Sequence, residues 1–233
     1  VVGASSGIGQ ELVRQLAKQG CRVAALARRK DRLDELAAQE GDRVLPFEHD
    51  VTRYDEVPLL FQQITKALGG LDLIIYAAGV MPTIEPTEYR FDLDQTIFEV
   101  NVLGAMAWLD QAAIRFANTR TGTIVAIGSV AGERGRAGQP AYNASKAALA
   151  TFMEALRNRL SRRGVKVVTV KPGPVDTPMA AEVSTTKLPV EKAASLILAK
   201  AQNTGEHYLL LPHKVAFAII RNIPSPIFRR LNI

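Results

Sequence analysis

Tyr142 and Lys146 stand four residues apart in Tyr142-Asn143-Ala144-Ser145-Lys146, so on a helix they share one face. A tyrosine phenol has a pKa of about 10 and is a poor proton donor or acceptor at neutral pH. An ammonium about 5 Å away, at an effective dielectric of about 20, favours the phenolate by roughly 3 kcal/mol. That is about two pKa units, which brings the phenol towards neutrality without reaching it. A second positive charge or a hydrogen bond has to complete the shift. Ser129 stands thirteen residues before Tyr142 (142 − 129 = 13), just past a strand-like stretch at Thr123–Ile127. A loop between them can return the chain and set both hydroxyls over one pocket. A serine closing an ordinary ST-turn has the same sequence signature.

A second kind of chemistry is written near the start of the chain. Gly3-Ala4-Ser5-Ser6-Gly7-Ile8-Gly9 lies between the stub Val1-Val2 and a helical pattern over residues 8–18. Glycines there let the backbone approach a pyrophosphate, which the free N–H groups and dipole of the helix start stabilise. A plain tight turn is the alternative, and the spacing Gly-x-x-x-Gly-x-Gly differs from the Gly-x-Gly-x-x-Gly fingerprint. Twenty residues past Gly7 (7 + 20 = 27) the second strand ends in Ala27-Arg28-Arg29. No acid stands there for the ribose 2′-hydroxyl of NAD, whereas arginine pairs with the 2′-phosphate of NADP. Two solvated arginines opening a helix are the other reading.

Further along, Asp50-Val51 follows the third strand. Asp50 reaches an adenine or caps the next helix, capping being the simpler reading. Tyr76-Ala77-Ala78-Gly79 ends the fourth strand with small residues that allow close approach to a ribose. Asn101 falls inside a helical pattern over residues 93–117, where asparagine is disfavoured unless it is at the surface or bonded in the core. Pro172-Gly173-Pro174-Val175-Asp176-Thr177 follows the sixth strand as a rigid loop that could wall a nicotinamide.

The elements that must position these residues alternate along the chain. Strands are expected at residues 1–2, 22–27, 44–47, 71–76, 123–127, 165–170 and 207–211. Helices are expected at 8–18, 31–38, 56–68, 93–117, 140–162 and 190–201. The alternation predicts an α/β fold with a doubly wound parallel sheet, helices on both faces and right-handed crossovers. One domain is expected over residues 1–212, with a C-terminal tail at 213–233. In the 140–162 helix, Leu149, Phe152 or Met153, Leu156 and Leu160 form a buried stripe. Ala144, Ala147, Ala148 and Ala150 suit close packing of a helix from a second subunit, or simply reflect helix propensity.

The 233 residues carry a net charge of +6, but the arginines come in scattered pairs (Arg28-Arg29, Arg162-Arg163, Arg229-Arg230) without interleaved aromatics. Nucleic acid is therefore not the expected partner. Cys21 is the only cysteine, which excludes an intrachain disulfide and points to a reducing, cytoplasmic setting. No run of 18 apolar residues is present, so no spanning helix is expected. No metal site is expected. In the tail, Val215-Ala216-Phe217-Ala218-Ile219-Ile220 is apolar all round and is followed by Arg221, Phe228 and Arg229-Arg230. It can pack on the core or a partner subunit, lie on an anionic membrane, or cover an apolar substrate pocket.

Taken in order and spacing, the glycine turn, Asp50-Val51, Ala78-Gly79, Asn101, Ser129, Tyr142-x-x-x-Lys146 and Pro172-Gly173 resemble the short-chain dehydrogenase/reductase family. The resemblance covers about residues 2–177. It implies a Rossmann-like seven-stranded sheet, an NADP(H) cofactor and hydride transfer between a small carbonyl substrate and its alcohol, in a dimer or tetramer. It implies Tyr142 as general acid–base and Ser129 as the group polarising the carbonyl. Lys146 would bind the ribose and lower the tyrosine pKa, and Asn101 would hold a relay water. The cofactor would rest on Gly3, Ser5, Ser6, Gly7, Ile8, Gly9, Arg28, Arg29, Asp50, Val51, Ala78, Gly79, Tyr142, Lys146, Pro172, Gly173, Val175 and Thr177. Arg28 matches the family's 2′-phosphate reader. Val2 departs from the usual threonine, and Tyr76-Ala77 from the usual asparagine pair, which bears on local stability. Val80, Met81, Glu133, Arg134, Val175 and Met179 are expected to wall a partly apolar substrate pocket. A non-catalytic dinucleotide-binding or scaffolding protein on the same fold is the alternative; it would lack one of Ser129, Tyr142 or Lys146.

Overall fold

Val2 is the pivot of the sheet. In the computed structural model, which describes residues 1–85 and 87–231, it bridges Leu26 on one side and Tyr76 on the other, both in parallel. Its N–H bonds Ile75 O at 2.9 Å and its carbonyl accepts from Ala77 N at 2.8 Å. β1 (Val23–Ala27) pairs with β2 (Val44–Glu48), and β3 (Leu73–Tyr76), β4 (Thr123–Ile127), β5 (Lys166–Lys171) and β6 (Gly205–Tyr208) pair in that order, all in parallel. The sheet therefore runs β2-β1-Val2-β3-β4-β5-β6. Among the described residues, six strands and the bridge residue Val2 take the seven expected positions, and Gly3 turns the chain away immediately after Val2. The strand order reverses at Val2, and ligands bind at such a switch point, outside the carboxyl ends of the strands.

Alternate strand residues feed two cores. Val23, Ala25, Ile75, Val125 and Val168 meet α1 (Gly7–Lys18), α2 (Lys30–Glu40) and α7 (Val190–Lys200). Ala24, Leu26, Ile74, Ile124 and Val167 meet α3 (Val57–Leu68) on the other face, together with the helices that follow β3 and β4. Burial on both faces explains why these strands carry apolar residues on both faces. Tyr76, placed where the family carries asparagine, is buried and its hydroxyl donates to Val100 O at 2.6 Å. The departure is thus accommodated by a bond of its own.

Two expected elements differ in the structure. The 93–117 helix is α4 (Phe91–Phe98), a π-helical turn at Glu99–Leu103, and α5 (Gly104–Thr119). By length and composition Phe91–Thr119 could cross a membrane, although it contains no unbroken run of 18 apolar residues. It is a core element here, with Ile97, Trp108, Leu109 and Phe116 buried. The last strand lies at Gly205–Tyr208 rather than 207–211. Leu209 is a core residue beyond the strand end, and Leu211 with Pro212 opens α8 (Leu211–Asn222). α6 (Pro140–Leu160) buries Leu149, Met153, Leu156 and Leu160 as expected, with Met153 rather than Phe152 in the stripe. Arg157 ties α6 to the sheet through Val167 O, Thr169 Oγ1 and Gly205 O at 3.0–3.1 Å. The tail expected over 213–233 continues through α9 (Ser225–Phe228); its Asn232 and Ile233 lie outside the described residues.

Candidate active site

A cleft of about 420 Å³ opens where the strand order reverses. Its floor is backbone, and sterics dictate why. Gly3 has φ 89, and a Cβ there would come within 2.4 Å of Ala78 N. A Cβ on Gly9 would stand 2.0 Å from Gly3 O. Only glycine permits both the turn and its closeness to the end of β3. Ser6 precedes α1 without bonding it through its side chain, and the first turn holds no acid. The N–H groups of that turn are open to an anion. These features accommodate the pyrophosphate of a dinucleotide.

At this end of the cleft Arg29, rather than Arg28, closes on the glycine turn. Its Nη2 donates to Ser5 Oγ at 2.9 Å and Ser6 Oγ at 2.7 Å. Arg28 leans the other way, with Nη1 3.9 Å from Asp50 Oδ2. Asp50 does not cap the next helix. It accepts from Thr52 N and Thr52 Oγ1 at 3.0 and 2.9 Å, an Asx-turn that leads past Val51 into the loop. Burial would raise the Asp50 carboxyl, but the Thr52 bonds and the Arg28 charge together hold it below its ordinary value. Ile8, Ala78, Gly79, Pro172 and Val175 line the middle of the cleft, with Thr177 lying over Gly7. Gly173 has no side chain because the His213 ring of α8 occupies the place a Cβ would take, 2.2 Å away.

At the other end α6 presents Tyr142 and Lys146, both buried. The helix starts under strain: Gln139, just before Pro140, holds φ 58, which costs on the order of 1–3 kcal/mol. Asn143 Nδ2 braces that turn through Gly138 O at 3.0 Å. Ser129 closes an ST-turn and also faces Tyr142: its Oγ accepts from Ala131 N at 3.0 Å, and its hydroxyl stands by the phenol. Gly132 holds this loop on α6, since a Cβ there would meet the Lys146 carbonyl carbon at 2.7 Å.

The electrostatics correct one expectation. Burial pushes the Tyr142 phenol above its ordinary value, opposed by the Ser129 hydroxyl and the charge of Arg136. Lys146 is not what draws it down. Its Nζ lies 5.6 Å from the tyrosine ring centroid and donates to Ile127 O at 3.1 Å. Burial lowers Lys146 itself to about 8. The packing that brings the pair together desolvates both, so neither acts as a full charge in water.

Asn101 is fully buried within the π-helical turn and does not line the cleft. Its Oδ1 accepts from Val80 N at 2.8 Å, while Nδ2 donates to Val80 O at 3.0 Å and Ser145 Oγ at 3.1 Å. It joins the end of β3 to α6, beside Gly79 and Lys146. Such π-turns recur at functional sites.

Of the expected substrate walls, Val80, Met81, Val175 and Met179 line the cleft, but Glu133 and Arg134 do not. Glu133 accepts from Lys171 Nζ at 2.5 Å and pairs with Arg221 of α8 at 3.3 Å. Arg134 donates to Ile220 O and Ile223 O and lies over the Phe228 ring at 4.1 Å. The loop that carries Ser129 thus anchors the tail to the core, leaving Leu211, Val215 and Ile219 exposed on the outer face of α8. Arg136, which lines the cleft, was not singled out in the sequence, where a loop arginine between two glycines reads as solvated.

The family model for short chain dehydrogenases matches residues 1–188. An uncharacterized oxidoreductase of Myxococcus xanthus is 40% identical over 184 residues, covering 78% of this chain and 73% of its own. An uncharacterized oxidoreductase of Staphylococcus aureus is 32% identical over 229 residues, covering 97% and 90%. Among solved structures, a short chain dehydrogenase from Burkholderia cenocepacia in complex with NADP has a TM-score of 0.86 at 26% identity, over 100% of this chain and 96% of that one. A short-chain dehydrogenase from Streptomyces avermitilis has a TM-score of 0.84 at 27% identity, over 94% and 90%.

Proposed function

The chain belongs to the short-chain dehydrogenase family of oxidoreductases, and from that premise we propose that it interconverts a carbonyl compound and its alcohol with NADP(H), using Tyr142 as general acid–base. The observation that carries this reading is the convergence of Ser129, Tyr142 and Lys146 at one end of a cleft whose other end is a glycine turn. A non-catalytic dinucleotide binder has no reason to keep all three.

When bound, the nicotinamide supplies or takes up the hydride. Everything else falls to the chain. In reduction the Ser129 hydroxyl donates a hydrogen bond to the carbonyl oxygen, and the Tyr142 hydroxyl delivers its proton to that oxygen. In oxidation Tyr142 takes the proton back. The phenol's burial makes it a reluctant anion and so a weaker acid, and the phenolate left by proton delivery has to be reprotonated. Lys146, with a pKa of about 8, gains or loses a proton near neutral pH. It sits between Tyr142 and the backbone end of β4, where it can replace the proton that the phenol gives up. Holding these groups together supplies orientation and acid–base catalysis at once.

The choice of NADP rests on Arg28 and Arg29 with the hydroxyls of Ser5 and Ser6, a donor-rich cluster suited to a 2′-phosphate. Asp50 is the only carboxylate among the described residues lining the cleft, and it is already paired with Arg28. The Burkholderia structure in complex with NADP supports the same choice. The test is NADPH consumption across ketones, aldehydes, sugars and acyl-thioester ketones. Carbonyl-dependent consumption is expected. Its absence across the panel, or an equal rate with NADH, contradicts the corresponding half of the proposal.

A further inference from the structure

Arg136 is a charged group in the cleft with no task in the mechanism above. It stands between the turn Val130–Glu133 and α6, and lines the cleft together with Tyr142. A guanidinium offers five N–H donors in a planar fork. Those of Arg136 are almost unused: Nη2 reaches Asn143 Oδ1 only at 3.5 Å, and Nε is buried with no partner. None of the ion pairs among the described residues includes it. Leaving such a donor buried and unpaired is costly, so its position calls for a ligand acceptor.

Three acidic groups on the loops around the cleft have other partners. Glu133 is bound by Lys171 and Arg221, Glu182 accepts from Thr83 Oγ1 at 2.6 Å, and Asp50 is at the far end with Arg28. Val80, Met81, Met179 and Val183 are apolar walls of the same cleft. The charge of Arg136 also bears on the Tyr142 phenol, which places it within electrostatic reach of the reacting oxygen.

We propose that Arg136 anchors a carboxylate of the substrate, so that the substrate is an oxo acid whose carbonyl meets Tyr142 and whose apolar spacer lies on Val80, Met81 and Met179. This rests on the reading of the cleft as an oxidoreductase site. A forked guanidinium pairs with a carboxylate through two parallel bonds, which fixes orientation as well as affinity.

The test compares ω-oxo carboxylic acids of increasing chain length with their methyl esters, using the full chain saturated with NADPH. At the best chain length the acid is expected to exceed its ester in kcat/KM by about 10- to 100-fold, mainly through KM, as fits a charged hydrogen bond. Arg136→Met should bring that ratio close to one, and Arg136→Lys should keep part of it. A wild-type ratio near one, or one that Arg136→Met leaves unchanged, overturns the proposal. Calorimetric titration of the NADP⁺-saturated protein with saturated alkanoates and their methyl esters reads the same contact without turnover. If nothing turns over but alkanoates bind in an Arg136-dependent way, the anion site stands and the oxidoreductase reading fails. If alkanoates and esters bind alike, or neither binds, the anion site is refuted.

Discussion

Arg28 and Lys146 are cations at the two ends of one cleft, and their surroundings make them different chemical objects. The Arg28 side chain is 64% exposed and faces Asp50 at 3.9 Å, an ion pair that contributes little to stability. Lys146 is 5% exposed, and burial alone takes it from 10.5 to about 8. The cofactor end is a backbone surface edged with solvated charge. The catalytic end is a packed pocket in which charge is costly. Recognition of an anion tolerates water, because arginine stays charged there. Proton transfer is helped by pKa values near neutrality, and burial moves Lys146 towards that range while moving Tyr142 away from it.

Three substitutions break or sharpen that contrast, from the largest effect to the smallest. Gly9→Ala should be the most damaging at the cofactor end, because its Cβ would fall 2.0 Å from Gly3 O. A loss of about 3 kcal/mol or more is expected in urea unfolding; a fully stable variant would show that the turn is looser than described.

Lys146→Met should stabilise the protein while harming catalysis. Burying the ammonium costs on the order of 3 kcal/mol, less about 1 kcal/mol for the lost bond to Ile127. The sign is set by the lowered pKa. Below pH 8 the folded and unfolded chains are both protonated and the full cost is borne. It disappears as pH rises from about 8 to 10.5, where only the unfolded chain keeps the proton. The melting temperature of the variant should therefore exceed that of the wild type at pH 7 and converge with it at high pH. A lower melting temperature at pH 7 would mean that Lys146 holds the fold together.

Arg29→Ala should weaken NADPH binding by about tenfold, as expected for one charged hydrogen bond at an exposed site, and leave NADH binding unchanged. Equal losses for both would show that Arg29 only braces Ser5 and Ser6.

The cofactor end was more legible in the sequence than the catalytic end, for a physical reason. Gly3 and Gly9 are dictated by backbone sterics over a few residues, and Arg28-Arg29 follow at a distance set by one helix and one strand. Ser129, Tyr142 and Lys146 were found by spacing too. Their pKa behaviour was not, because the direction of the Tyr142 shift depends on burial that only tertiary packing creates. Glu133 and Arg134 point towards the tail instead of the cleft, and Arg136 takes the place assigned to them. A loop's sequence does not say which way its side chains turn. The π-helical turn at Asn101 was equally hidden, since its residues read as continuous helix. The strand expected at 207–211 was misplaced because Leu209-Leu210-Leu211 looks like a strand, while the pairing with Val168–Lys171 begins at Gly205.

The central claim is that Tyr142 moves the proton, and Tyr142→Phe tests it most directly. The ring and its packing remain, and only the hydroxyl is lost. Turnover with a carbonyl identified for the wild type should fall by about 10²- to 10⁴-fold, as for loss of a general acid, while NADPH binding measured by fluorescence persists. Turnover within a few-fold of the wild type would contradict the account.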